Sequence, residues 1–254
     1  MNNANSDHPV VLQGVILTRD LAASIAAYQR LLPVQPAAPS TLTRSQASAW
    51  LAPVLAGAPV VALCEPSGQP TIWLVEARSA GHSDPFRTAG WFGLHLEVAH
   101  LPSVAQGVAD SPFESLTEAD AERLCLRGHN DEVIFLSQST QCGCEMLSAV
   151  ANVPDIDAAL AGYQTLSDSA SLAGRKTLRH INRAWGFGGE RKHPVADVVL
   201  DARHQLQLNE LKAARIPAST EYFCGLFMVC TDNPLQPGTR VIKGSAGERL
   251  LSHH

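Results

Sequence analysis

A histidine and a glutamate two residues apart in an apolar run give this 254-residue chain its most obvious opening for chemistry. In Gly93-Leu94-His95-Leu96-Glu97-Val98, period-two alternation puts Gly93, His95 and Glu97 on one strand face. A neutral imidazole is both a metal ligand and a general base near neutral pH, and Glu97 would orient it or contact a substrate. Glu76 closes a second apolar run, Ile72-Trp73-Leu74-Val75. A carboxylate entering such surroundings needs a cation, a metal or water. Gln13, within the apolar run Val10–Leu17, is an amide suited to weak oxygen ligation or to a substrate carbonyl. His95 and Glu76 are therefore the candidate catalytic groups, and Gln13, His95 and Glu76 the candidate metal ligands. Trp73, Trp91 and Phe135 fall on strand segments where their rings could stack on a planar substrate, beside Glu97, or simply fill a core.

Other reactive signatures are missing or weak. No Gly-x-Ser-x-Gly elbow occurs, and Trp185-Gly186-Phe187-Gly188-Gly189 lacks the Lys-Ser/Thr of a phosphate loop. Cys142-Gly143-Cys144 is the one close cysteine pair, and a closed zinc site needs four ligands. His180, His193 and His204 have spacings that fit no helical zinc pattern. The six scattered cysteines read as free thiols in a reducing, cytoplasmic setting. A net charge of −5 without a long Lys/Arg run argues against nucleic acid. Apolar stretches such as Pro59–Cys64 are too short to cross a bilayer as a helix.

These residues must be positioned by repeated elements. The segment Thr18-Arg19-Asp20-Leu21 through Leu31 recurs as Val153-Pro154-Asp155-Ile156 through Leu166, so that Asp20 reappears as Asp155, an offset of 135. In both copies a strand meets an aspartate able to cap a helix. The helix then carries apolar residues at Leu21, Ile25, Tyr28 or Ile156, Leu160, Tyr163. A fainter echo joins Gly93–Val98 to Gly225–Cys230, an offset of 132, and Glu76 has an analogue in Glu210 at 134. Strands are expected at Val60–Cys64, Thr71–Glu76, Leu124–Gly128, Glu132–Gln138, Ala196–Leu200 and Gln205–Leu211, with a short helix at Leu101–Val108. The pattern is an α+β fold of four βαβββ-like units, the last one short, in two halves spanning 9–140 and 145–254.

The strand, the Asp-Leu-x-x-x-Ile-x-x-Tyr helix and the strands after it resemble the vicinal-oxygen-chelate superfamily. That group includes glyoxalase I, bleomycin-resistance proteins and extradiol dioxygenases. Gly128-His129-Asn130-Asp131-Glu132 is similar to the glycine turn before the last strand of such a unit. The resemblance implies two glyoxalase-like half-barrel cups, a divalent metal in a cup, and a small oxygen-bearing substrate, aromatic or ketone-containing. It implies metal-assisted or His/Glu-assisted proton transfer, in lyase, isomerase or ring chemistry. The alternative is a non-catalytic, sequestering protein of the bleomycin-resistance type, and a homodimer is compatible with either. The family's first-strand histidine falls on Gln13, Gly93, Ser148 and Gly225, none of which is histidine.

Overall fold

The computed structural model describes residues 11–116, 123–139, 143–164, 171–178, 193–231, 233–236, 238 and 240–252. His180, Cys142, the 185–189 glycine segment and the two final histidines lie outside these described residues.

Unit one runs β1 (Gln13–Thr18), α1 (Leu21–Leu31), β2 (Gln35–Pro36), β3 (Ser40–Thr41), α2 (Arg44–Ala49), β4 (Pro59–Cys64) and β5 (Pro70–Glu76). Unit two is β6 (Gly90–Val98), α3 (Leu101–Gly107), β7 (Glu114–Ser115), β8 (Arg123–Arg127) and β9 (Val133–Gln138). Unit three is β10 (Cys144–Val153), α4 (Ile156–Gln164), β11 (Ser171–Leu178), β12 (His193–Val199) and β13 (Gln205–Glu210). Unit four keeps only β14 (Gly225–Cys230), β15 (Arg240–Lys243) and β16 (Arg249–Ser252), with no helix among its described residues. The last unit is short, as the sequence implied.

Both repeated aspartates act as caps. Asp20 accepts a hydrogen bond from the Ala23 amide at 2.9 Å, and Asp155 from the Ala158 amide at 3.0 Å. Each satisfies a backbone donor that the first helical turn leaves without a partner. Replacing Asp20 by alanine is expected to cost about 1 kcal/mol, read as a lowered urea midpoint at unchanged slope.

The strands form two eight-stranded sheets. The first is ordered β15-β16-β14-β1-β5-β4-β2, with β3 also on β4, and the second β11-β12-β13-β10-β6-β9-β8-β7. Unit one thus shares a sheet with unit four, and unit two with unit three. Each sheet takes strands from both sides of the 140–145 junction, so the halves 9–140 and 145–254 are segments of chain rather than separate sheets. Antiparallel pairs sit at each centre, β1 on β14 and β10 on β6.

The repeat register is set by backbone shape. Gly90 and Gly225 open β6 and β14 with φ of 107° and 98°, a region that favours glycine. Both pairings contain a bulge just after that glycine. The equivalence is therefore Gly90 to Gly225, an offset of 135 matching the helix repeat, and the sequence offset of 132 is corrected. Met228, not Gly225, then occupies the fourth unit's ligand position.

The backs of the sheets pack together, with α1, α3 and α4 contributing to one large apolar core. The sheets approach closely at Gly14, where a Cβ would lie 2.7 Å from a Leu94 methyl. The opposite faces of the sheets are the two cups. No helix among the described residues is long and apolar enough to cross a membrane.

Candidate functional site

The cups differ in what lines them. Val15, Leu17, Trp73, Val75, Met228, Cys230 and Leu251 present an apolar floor in the first. The segment around α2 fills it, with Leu42, Ala47, Trp50 and Leu55 packed onto that floor. Trp50 is fully buried and its indole N–H donates to the Pro234 carbonyl at 3.0 Å. Gln13 faces inward, buried, and accepts a hydrogen bond from the Trp73 indole at 2.5 Å. The amide and the ring satisfy each other inside a packed core.

The second cup has a polar floor, built by strand register. One cross-strand row reads Gln205, Ser148, His95, Phe135 and Cys125. The next reads Asp197, Gln207, Val150, Gly93, Val133 and Arg127. Beyond them Asn152 pairs with Asn209, and towards the rim Glu145 faces Glu97, which neighbours Ser137. Phe86, Phe92 and Phe135 form an apolar wall with Cys125, Val133 and Val150. Phe86 and Phe92 meet edge to face at 6.1 Å.

Within this cup His95 is half-buried, its Nε2 3.0 Å from the Ser137 hydroxyl. Deeper, Asn152 and Asn209 are fully buried, and Gln207 donates to the Asn209 side-chain oxygen at 3.0 Å. The Asn152 side-chain oxygen and the Asn209 side-chain nitrogen are buried with no hydrogen-bond partner among the described residues. Buried polar atoms are almost always satisfied, so an adjacent orphan acceptor and donor mark where a polar molecule belongs. Burial pushes the Cys125 thiol up to about 12, which leaves it a poor nucleophile.

The sequence candidates therefore divide between places. His95, Glu97 and Phe135 come together on the second floor. Gln13 and Trp73 lie in the first cup. Trp91 is in the core between sheets, its indole donating to the Arg249 carbonyl at 2.8 Å. Glu76, at the end of β5, faces away from Trp73 and Val75 and pairs with Arg78 at 2.5 Å. Its analogue Glu210 pairs with Lys212 at 3.4 Å. Glu97 reaches Arg203 at 3.5 Å, and Arg203 also holds Glu145 at 2.8 Å.

The residues present do not fit the metal shell that the resemblance implies. Gln13 and Glu76 belong to one sheet and His95 to the other, and no three His, Cys, Asp or Glu side chains among the described residues are placed to hold a metal ion. The ligand positions hold Gln13 and Met228 in the first cup and Gly93 and Ser148 in the second. Sequence reasoning missed Asn152 and Asn209 as floor residues. The signal for Asn209 was the alternation Gln205-x-Gln207-x-Asn209 around Leu206 and Leu208.

No family model matches this sequence, and no curated protein does. Solved structures resemble its fold. Glyoxalase I from Zea mays superposes with a TM-score of 0.63 at 10% identity, covering 95% of this chain and 92% of that one. A putative dioxygenase from Bacillus subtilis gives 0.60 at 6% identity, covering 94% and 83%. The cppA protein from Streptococcus pneumoniae gives 0.58 at 9% identity, covering 97% and 98%. Glyoxalase I and the dioxygenase are members of the vicinal-oxygen-chelate superfamily, and this chain has that tandem βαβββ fold. At these identities the likeness is one of fold.

Proposed function

We propose that the second cup binds a small oxygen-bearing metabolite and that His95 moves a proton on it. The observation that carries this reading is the pair of orphan amide atoms on Asn152 and Asn209, in a cup whose counterpart is packed shut. An orphan acceptor and donor suit a molecule with a hydroxyl and a carbonyl. The phenylalanine wall suits its apolar body. His95 stands on the same floor, four residues or about 13 Å along the strand register from Asn152. It serves as general base at the far end of a substrate anchored on the asparagines, with the Ser137 hydroxyl 3.0 Å from its Nε2. Proton transfer next to a carbonyl is then the reaction class, consistent with lyase or isomerase chemistry, and no step is routed through a metal.

A thermal-shift screen of hydroxy-ketones, 2-oxo acids and catechols, followed by turnover assays on the hits, tests this. Replacing His95 by glutamine is expected to lower kcat about 100-fold or more with KM little changed. Asn209→Ala should weaken binding, while Met228→Leu in the first cup should do neither. Unchanged turnover in His95→Gln would remove the catalytic role. Capture without product would instead favour sequestration, the second reading, which Gln13, Gly93 and Ser148 at the first-strand positions support.

A further inference from the structure

A second site lies where the starts of β6 and β14 meet the turn between β15 and β16, bordering the second cup at Phe92. A cavity of about 90 Å³ there is lined by Trp91, Phe92, Phe227, Lys243 and Arg249. Arg249 is only 7% exposed. Its guanidinium lies over the Phe227 ring at 4.5 Å and over Tyr222 at 5.7 Å. Among the described residues its Nε is buried without a hydrogen-bond partner, and no carboxylate forms an ion pair with it or with Lys243. A buried cation normally has an anion. A guanidinium stacked on an aromatic face keeps its N–H edge open for a bidentate oxyanion.

The internal repeat shows that the fold does not require this charge. The turn Gly128–Glu132 corresponds to Gly244–Glu248, since each glycine amide donates to the glutamate carbonyl four residues on. Arg249 thus corresponds to Val133, a fully buried apolar residue. Lys243 corresponds to Arg127, which has its own partner in Asp131 at 2.7 Å. At the position of Asp131 the fourth unit has Gly247. Unit four has therefore gained one cation and lost the acid that would neutralise another.

Carboxylates also line the cavity, but each is already engaged. Glu132 is bonded to Tyr28 and Glu248 to Tyr163. Asp131 pairs with Arg127 and His82, and Glu221 with Arg215. We propose that Arg249 and Lys243 form a binding site for a small carboxylate, seated edge-on to the Arg249 guanidinium.

Isothermal titration and thermal unfolding of the full chain, at ionic strength held constant with chloride, provide the test. Acetate, propionate and inorganic phosphate are the probes. Acetate or propionate is expected to bind saturably and to raise Tm by about 5–10 °C at a hundredfold excess over Kd. Arg249→Met, which keeps the apolar stem, should fold and lose the response. Lys243→Met should weaken it several-fold, and His95→Gln should retain it, separating this site from the second cup. No saturable carboxylate heat in the wild-type protein, binding of phosphate alone, or an unchanged response in both Arg249→Met and Lys243→Met would each overturn the proposal.

Discussion

Trp50→Ala is expected to destabilise the protein by about 3–5 kcal/mol, the range for deleting a fully enclosed large aromatic. The indole fills the first cup and ties α2 to the Pro234 carbonyl. Alanine would leave a void that its floor cannot collapse into, because β14, β1 and β5 are the paired central strands of their sheet. Denaturant unfolding measures the loss as a lower midpoint. A dry apolar void of this kind takes up small aromatic molecules. Added indole should therefore restore part of the Trp50→Ala stability and leave the wild-type protein unchanged. A loss below about 1 kcal/mol, or no rescue by indole, would mean that the first cup is not packed shut by this residue. The ligand response of the second cup should survive, since its floor belongs to the other sheet.

The contrast between the cups shows what period and spacing can reveal. Alternation placed His95 with Glu97 because a strand's faces are a local property. The aspartate-started helix repeats were legible because caps and 3.6-residue periodicity are local too. Strand partnership is not local. Nothing in β1 says that its neighbour is β14, more than 200 residues on, so Gln13 and His95 could be imagined in one site when they lie in different sheets. Likewise, the segment that fills the first cup has no long period, since α2 is only six residues. Its Thr43 and Gln46 capping box was the available sign of a helix. The three-residue slip in the fainter repeat came from the Gly-Leu dipeptide shared by Gly93-Leu94 and Gly225-Leu226, whereas the equivalence of Gly90 with Gly225 lies in a positive φ and a following bulge.

Glu132 shows the same limit and yields the other large effect. In sequence it only opens the expected strand Glu132–Gln138, yet it is 1% exposed, bonded to the Tyr28 hydroxyl and to the Asn130 amide. The tyrosine comes from α1 and the turn from unit two, so this pair fastens the helix of one sheet to a turn of the other. The device is repeated by Tyr163 and Glu248, at 3.2 Å. Burial pushes the Glu132 carboxyl up to about 7, against the hydrogen bonds that favour its charged form. An acid whose folded pKa lies above its unfolded value holds its proton more tightly in the native state. Its contribution is complete below about pH 4.5 and is lost as pH rises through 7. The decline should total about 3 kcal/mol, at 1.36 kcal/mol per pKa unit. Glu248 is shifted in the same direction, also mainly by burial, and adds to it. Glu132→Gln mimics the protonated carboxyl, with its oxygen on the Asn130 amide and its NH2 on the Tyr28 oxygen. That variant should match the wild-type protein near pH 5 and exceed it at pH 8. Urea titrations of both proteins between pH 5 and 8 isolate the effect, because every other titrating group cancels in their difference. A difference that does not change with pH would show that Glu132 carries its charge in the folded protein.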